Sequence, residues 1–232
     1  MDIDNFYNEL SSRALLLCDK SRADLAAAIH LYANFNPDKD ARITSFVKLI
    51  NVFNSLLLTF AFARKGIDEG DWKESNEGDE FSLWIQNFDD FVKIGYIHNI
   101  SLVIESSFRI FLRALDPKAC GRGMSEFKSI YECLFKSKLA EPPSDGVELL
   151  NFFRLIKNTF HNNGVYFHQS GVNSTINWKG QIYEFKQGKP VDFVTWDFVL
   201  NFSNDLRGLL RKVVEDQNLK SIKKEITESF YN

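Results

Sequence analysis

The stretch from Gly146 to Gly164 constrains the fold of this chain more than any other. Placed on a helix at 100° per residue, its apolar side chains share one broad face: Leu149, Phe152, Phe153, Ile156 and Phe160. The opposite face is a narrow polar stripe of Asn151, Arg154, Asn158 and His161, with Lys157 at its edge. Asn163 and Gly164 are the residue types that end helices in the left-handed conformation. The pattern predicts an amphipathic helix that buries one face. The other face exposes hydrogen-bond donors and a histidine that can carry a proton.

Helical periodicity is typical of most of the remaining chain. It predicts helices over about 2–18, 22–32, 40–65, 81–115, 125–138 and 195–214, and a shorter Lys-rich helix that carries Ile222, Ile226 and Phe230. Ser21 and Asp24 resemble a capping box that opens the second helix, and Gly95 is expected to bend or split the fourth. Residues 175–178 and 181–185 predict a β-hairpin around Lys179-Gly180, and Val191–Phe193 a short third strand. The predicted fold class is all-α, a bundle of seven or eight helices with a small β-hairpin inserted after the helix of the Gly146–Gly164 stretch.

Composition is that of an ordinary soluble globular protein. The 232 residues suit one domain, 1–232, and they are 44% apolar and 25% charged. The 22 Phe indicate a large aromatic core and are also suited to an oligomer interface. The net charge of −3 argues against binding nucleic acid by bulk charge alone, although it leaves room for a local basic site.

Cysteines and apolar runs bear on the location of the protein. Three cysteines without metal or redox spacing predict thiols in a reducing compartment. The N-terminus lacks an apolar leader, and the longest uncharged apolar run, 49–63, is too short and too polar to span a bilayer. We therefore expect a cytoplasmic protein without a membrane partner. The acid-rich residues 68–80 predict a solvated loop, and Cys120–Gly123 a connecting turn.

The polar stripe of the Gly146–Gly164 helix has the side chains that phosphate chemistry needs. Arg154 and His161 are two turns apart, about 10 Å along the axis. A permanently charged Arg suits a phosphate, a His can take and return a proton at neutral pH, and Asn side chains can orient the imidazole or bind a sugar or phosphate oxygen. Neither a carboxylate pair nor a second His stands nearby in sequence to hold a metal. The stripe predicts RNA cleavage without metal or cofactor, in which a base deprotonates the ribose 2′-hydroxyl and a cation stabilises the phosphorane.

Arg154 and His161, separated by six residues, resemble the R-x4–6-H motif of the HEPN superfamily, the higher-eukaryote and prokaryote nucleotide-binding domains. The string KNTFHNNG at 157–164 resembles one bacterial branch. The resemblance implies an all-helical bundle and a metal-independent RNA endonuclease, with residues 1–66 as a family-specific extension. It implies catalytic roles for Arg154 and His161, and supporting or substrate-binding roles for Asn158, Lys157, Asn151 and Asn162. Active members of the superfamily occur in toxin–antitoxin, abortive-infection and CRISPR systems. The implied partners are an RNA substrate, an antitoxin protein and a second copy of the chain, bound through the helix that carries Arg154 and His161 (the motif helix).

Alternatives to this interpretation stay open. Many active HEPN members carry Asn, His or Asp after the Arg, whereas this chain has the apolar Leu155. Lys157-Asn158 is therefore a second candidate for the counterpart of an Arg-Asn pair, with Lys157 as the cation. The chain could also be a noncatalytic module that binds a nucleotide, an RNA or a protein, or the stripe could cross an interface or cap neighbouring helices. His30, His98 and His168 are expected to be structural, although His168 could approach His161.

Overall fold

A computed structural model of the chain describes residues 3–68, 79–118 and 126–227. Within these ranges the chain forms seven helices and one antiparallel sheet of two strands. They are α1 Ile3–Leu31, α2 Ala41–Asp68, α3 Asp79–Leu115, α4 Phe127–Ser137, α5 Gly146–His161, β1 Ser174–Trp178, β2 Gln181–Phe185, α6 Trp196–Val214 and α7 Gln217–Ser221. The prediction of a helical protein with a small hairpin after α5 is confirmed. Most of the acid-rich loop (69–78), the turn at Cys120–Gly123 and Phe230 lie outside the described residues.

The predicted helix start after Ser21 is wrong, and the helix that contains Gly95 is not split there. α1 runs without a break through Ser21, whose buried hydroxyl donates to the carbonyl of Leu17 at 2.9 Å instead of capping a new helix. α3 likewise continues through Gly95 for 37 residues. A glycine inside a helix costs only about 1 kcal/mol relative to Ala, and the apolar residues that follow Gly95, Tyr96 and Ile97, are buried in the core. Packing of the flanking residues in the core therefore outweighs the local preference of Ser21 to start a helix and of Gly95 to interrupt one.

The helices pack as a bundle around one aromatic core. α1 and α2 are antiparallel neighbours, since Tyr7 contacts Phe60 and Cys18 donates to Asn54 at 3.1 Å. α3 packs on α2 along one side and on α4, α5 and α6 along another. α6 begins at the N-cap Thr195, whose hydroxyl accepts from the Phe198 amide at 3.3 Å. This arrangement surrounds α5 with α3, α4 and α6 and leaves its polar stripe at the surface.

A buried ion pair ties the C-terminal segment to the start of α2. Asp40 and Arg42 are both fully buried, and Nη2 of Arg42 donates to Asp40 Oδ2 at 2.6 Å. Nε bonds Asp40 as well, and the remaining guanidinium protons bond the carbonyls of Leu219, Ile222 and Lys224. All five N–H groups are thus used, as a buried guanidinium requires. The segment after α7 is extended here, so the predicted Lys-rich helix is reduced to the five residues of α7.

The hairpin covers one side of α5. Lys179 and Gly180 both have positive φ, 52° and 80°, which is the type I′ geometry that favours Gly in a two-residue turn. Tyr183 on β2 packs on Phe152 of α5 with ring centroids 4.8 Å apart. The predicted third strand is wrong, because the following segment makes only an isolated bridge, between Val165 and Pro190.

Two further sequence expectations concern membranes and cysteines. Among the described residues one helix has the length and hydropathy of a membrane span, α2 over Ala41–Gly66, with a mean hydropathy of 1.7. Its buried side chains, which include Phe46, Leu49 and Phe53, pack in the core of the bundle. Cys18 is a buried free thiol, whereas Cys133 is disulfide-bonded, so the prediction of three thiols is wrong for that residue.

Candidate functional site

The helix that carries the candidate residues begins and ends as the sequence predicts. α5 buries Leu149, Phe152, Phe153 and Ile156, and its last residue is His161. Asn163 and Gly164 follow with φ of 54° and 79°, and the Gly164 amide donates back to the Thr159 carbonyl at 3.0 Å. This left-handed exit turns the chain away from the helix axis and leaves the His161 side chain exposed at the end of α5.

At the other end of the stripe, α5 contacts α4 through Tyr131. The Tyr131 hydroxyl donates to Oδ1 of Asn151 at 2.6 Å, so this Asn is a half-buried helix contact and not a free donor. Burial raises the pKa of Tyr131, and the nearby Arg154 guanidinium acts in the opposite direction. The phenol is therefore neutral at physiological pH and can serve as a donor.

Arg154 is half-buried beside Tyr131, and its Nε is buried without a hydrogen-bond partner. Among the described residues no carboxylate forms an ion pair with Arg154. A buried guanidinium N–H without a partner is unfavourable, because it has lost water and gained nothing. Within the described part of the protomer the guanidinium therefore bonds the Tyr131 hydroxyl, but no carboxylate neutralises its charge.

Lys157 differs from Arg154 in this respect. Its Nζ lies 3.0 Å from Oε2 of Glu105 on α3, and the other oxygen of Glu105 binds Arg109 at 2.9 Å. All three side chains are mostly buried, with exposed fractions of 21% for Lys157, 20% for Glu105 and 26% for Arg109. Glu105 thus neutralises part of the charge that Lys157 could offer to an anion.

The central feature of the site is a pair of histidines. The ring of His161 on α5 meets the ring of His98 on α3 edge to face, with centroids 5.8 Å apart and planes at 88°. Both side chains are exposed. The expectation that His98 is merely structural overlooked this contact, for which the sequence holds no local signal.

The remaining candidates are distributed around this pair. Asn158 is exposed on the turn between Arg154 and His161. The Asn162 side chain donates to the Asn158 carbonyl at 3.0 Å, so it closes the helix end. His168 does not approach His161, because its ring stacks on Tyr166 and its Nδ1 lies 2.6 Å from the Ser170 hydroxyl.

The assembled site is an open polar surface along the antiparallel α3–α5 pair. It joins two imidazoles, a guanidinium that no described carboxylate pairs with, and an ion-paired lysine, which together can move protons and attract an anion. A cleft of about 720 Å³ lies elsewhere, lined by His30, Lys212 and Lys220 among others. Among the described residues no group of three or more His, Cys, Asp or Glu is placed to hold a metal ion.

Comparison of the chain with protein-family models, with curated proteins and with solved structures found no match. The resemblance to the HEPN motif therefore depends on the residues of positions 154–164 and their spacing alone.

Proposed function

We propose that this protein is a metal-independent endoribonuclease of HEPN type that cleaves RNA through attack of the 2′-hydroxyl. The observation that carries the proposal is the contact of His161 with His98 at the surface, on the same face as Arg154. Two imidazoles side by side can supply both proton transfers that phosphodiester cleavage needs. A role as a toxin or phage-defence effector, restrained by an antitoxin protein, is the biological context that the resemblance implies.

In the proposed reaction one imidazole removes the proton of the 2′-hydroxyl, and the 2′-oxygen attacks the phosphorus. The bond from phosphorus to the 5′-oxygen breaks, and the second imidazole protonates that oxygen. The products are a 2′,3′-cyclic phosphate and a 5′-hydroxyl end. We assign His161 as the essential acid/base group, with His98 as its partner, because His161 lies at the end of the stripe that carries the cation.

Arg154 is the cation that we assign to the scissile phosphate. Lys157 is bound to Glu105, whereas no carboxylate of the described residues pairs with Arg154. A phosphate oxygen would give the guanidinium the anionic partner that it lacks. Asn158, exposed between the two, is placed to bind a sugar or phosphate oxygen.

The direct test is cleavage of a defined RNA by the purified protein in EDTA. We expect cleavage that leaves a 2′,3′-cyclic phosphate and stops at any position where the 2′-hydroxyl is replaced by hydrogen. Full cleavage by a clean His161→Ala protein would refute the assignment, and cleavage of the matching DNA would refute the mechanism.

The second candidate is a noncatalytic module that binds a nucleotide, an RNA or a protein. Two contacts favour it: Lys157 is already held by Glu105, and Asn151 by Tyr131. Overexpression in a bacterial host separates the two functions. An active ribonuclease slows growth, and Arg154→Ala relieves the effect, whereas a binding module leaves growth unchanged with either protein when no antitoxin is supplied.

A further inference from the structure

A cleft of about 720 Å³ opens where three parts of the chain meet: the end of α1, the linker between α4 and α5, and the corner between α6 and α7. Pockets that bind small molecules usually have volumes of about 300–1,000 Å³. None of the residues that line this cleft lies on the α3–α5 surface that carries His98 and His161. The cleft, named the α1–α6 cleft after two of its walls, is therefore a second candidate site.

Hydrogen bonds between its walls hold the α1–α6 cleft in shape. At the end of α1, the Tyr32 hydroxyl donates to the carbonyl of Val214, the last residue of α6. In the linker, the amides of Ala140 and Glu141 donate to Oδ2 of Asp216 at 2.9 and 3.0 Å. The walls are thus joined to one another, and a site that is already in place loses little free energy to ordering when it binds a ligand.

Two lysines and a histidine line the cleft without a partner. Lys212 lies on α6, Lys220 on α7, and His30 in the last turn of α1. Within residues 3–68, 79–118 and 126–227, neither ammonium forms an ion pair or a hydrogen bond, and the imidazole makes no hydrogen bond either. The neighbouring Arg211, by contrast, binds Oε1 of Glu215 at 2.8 Å. The cleft therefore offers nitrogen donors that an anion could use.

Most of the negative charge at the cleft is already compensated by other groups. The carboxylate of Glu215 is bound to Arg211. That of Asp216 accepts from the two linker amides and, at 2.9 Å, from the amide of Asn218, and such N–H groups stabilise a carboxylate charge. Glu141 alone among the acidic side chains of the cleft is exposed and has no partner in the described residues. Two uncompensated ammoniums therefore face one uncompensated carboxylate, which favours an anionic ligand.

The residue types at the cleft favour a phosphate ligand with an organic part. Ammonium groups act as point charges that suit a charge-dense phosphate, whereas the planar fork of Arg matches a carboxylate better, and no described Arg lines the cleft. The rest of the wall includes the apolar side chains of Leu31, which is 41% exposed, and Pro143. Glu141 can accept a hydrogen bond from a hydroxyl or an amino group.

We propose that the α1–α6 cleft binds a small organic diphosphate. The diphosphate group contacts the ammoniums of Lys212 and Lys220 and the imidazole of His30, and the organic part lies against Leu31 and Pro143. This site goes beyond the proposed function and does not depend on it, because the two sites have no residue in common.

The test is calorimetric titration of the full chain, in EDTA, with inorganic pyrophosphate and with adenosine diphosphate. We expect saturable binding of both with one site per chain, and tighter binding of adenosine diphosphate because its organic part uses the apolar wall. Lys212→Gln and Lys220→Gln should each weaken binding about tenfold, the usual effect of losing a charge-assisted hydrogen bond. Glu141→Gln should strengthen the binding of pyrophosphate by about two- to fivefold, because it removes a like charge.

Two variants outside the cleft control for net charge. Lys189→Gln removes an exposed ammonium that also lacks a partner among the described residues. Glu9→Gln removes an exposed carboxylate that lies about 30 Å from His30 along α1. Neither change should alter the binding of pyrophosphate.

Three results would overturn the proposal. The first is a wild-type protein that shows no saturable binding of pyrophosphate or adenosine diphosphate. The second is equal weakening by Lys212→Gln and Lys189→Gln, since the effect would then come from net charge. The third is an RNA oligonucleotide that needs Lys212 and Lys220 for binding when neither diphosphate binds, which would make this surface an RNA contact. A protein that binds pyrophosphate in the cleft but does not cleave RNA contradicts the proposed function alone.

Discussion

The imidazole of His98 stands at 88° to that of His161, with ring centroids 5.8 Å apart, across the antiparallel contact of α3 and α5. Among the described residues this is the only contact between two histidine rings. In the proposed mechanism one ring of this pair accepts a proton and the other donates one, so the roles of His98 and His161 should be separable by mutation.

His161→Gln should lower the single-turnover rate of RNA cleavage by about 10²–10⁴-fold, the usual contribution of a general acid or base. His98→Gln should lower it by a smaller factor, about 10–100-fold, and the double variant should be no worse than His161→Gln, because the two act in one reaction. His168→Gln is the control, since that ring binds Tyr166 and Ser170. A rate for His98→Gln equal to that of the wild type would leave His98 a structural residue.

The two candidate cations should behave differently. Arg154→Met should lower the cleavage rate by about 10²–10³-fold, as loss of a group that stabilises developing negative charge does. Lys157→Met should lower it less than about tenfold, because Glu105 already offsets the Lys157 charge. The affinity for an RNA with 2′-deoxy substitution, measured by fluorescence anisotropy, shows whether each change acts on binding or on the reaction. The opposite ranking would identify Lys157 as the working cation.

Features of α5 that depend on neighbours in sequence could be predicted. Its apolar face follows from helical spacing, and its termination by a left-handed Asn163-Gly164 follows from backbone preferences. The hairpin turn at Lys179-Gly180 was predictable for the same reason. These elements position the stripe but do not complete the site.

Features that depend on how helices pack could not be predicted. The contacts of His98 with His161 and of Glu105 with Lys157 require α3 to run antiparallel to α5 in one particular register, which no local pattern encodes. The false helix start at Ser21 has a similar cause. Its supposed capping partner, Asp24, is 4% exposed and forms an ion pair with Arg207 of α6. The acidic residue that resembled part of a capping box therefore serves a tertiary contact.

The buried ion pair at the start of α2 should be essential for stability. Arg42→Met leaves the carboxylate of Asp40 buried without its partner, which should lower the free energy of unfolding by about 3–5 kcal/mol. Arg42→Lys should not restore it, because one ammonium cannot replace five N–H donors that reach Asp40 and three carbonyls. Arg22→Met is the control, since that residue makes an exposed pair with Asp19, and it should change stability by less than about 0.5 kcal/mol. Urea denaturation measures all three, and a small loss for Arg42→Met would contradict the role of the pair.

Buried tyrosines should make the protein sensitive to alkali. Burial, with a smaller contribution from Asp89, raises the pKa of Tyr7 to about 12, and burial also raises the pKa values of Tyr32, Tyr96 and Tyr131. A raised pKa means that the folded state holds the proton more tightly than the unfolded state. The contribution of each phenol is therefore complete below pH about 10 and is lost as the pH rises through the folded-state value. We expect thermal stability to fall above pH about 10, with much of the phenolate absorbance at 295 nm appearing only on unfolding.

Two conservative substitutions test this account. Tyr7→Phe removes a buried hydroxyl that has no hydrogen-bond partner among the described residues, so it should leave neutral stability unchanged or slightly higher and move the alkaline transition upward. Tyr32→Phe removes a hydroxyl that donates to the Val214 carbonyl, so it should cost about 1–2 kcal/mol at pH 7. Denaturation of both variants at pH 7 and pH 11 separates two contributions to stability, the ionisation of the phenol and the hydrogen bond of its hydroxyl. An equal loss at pH 7 for both variants would show that the Tyr7 hydroxyl is bonded in solution.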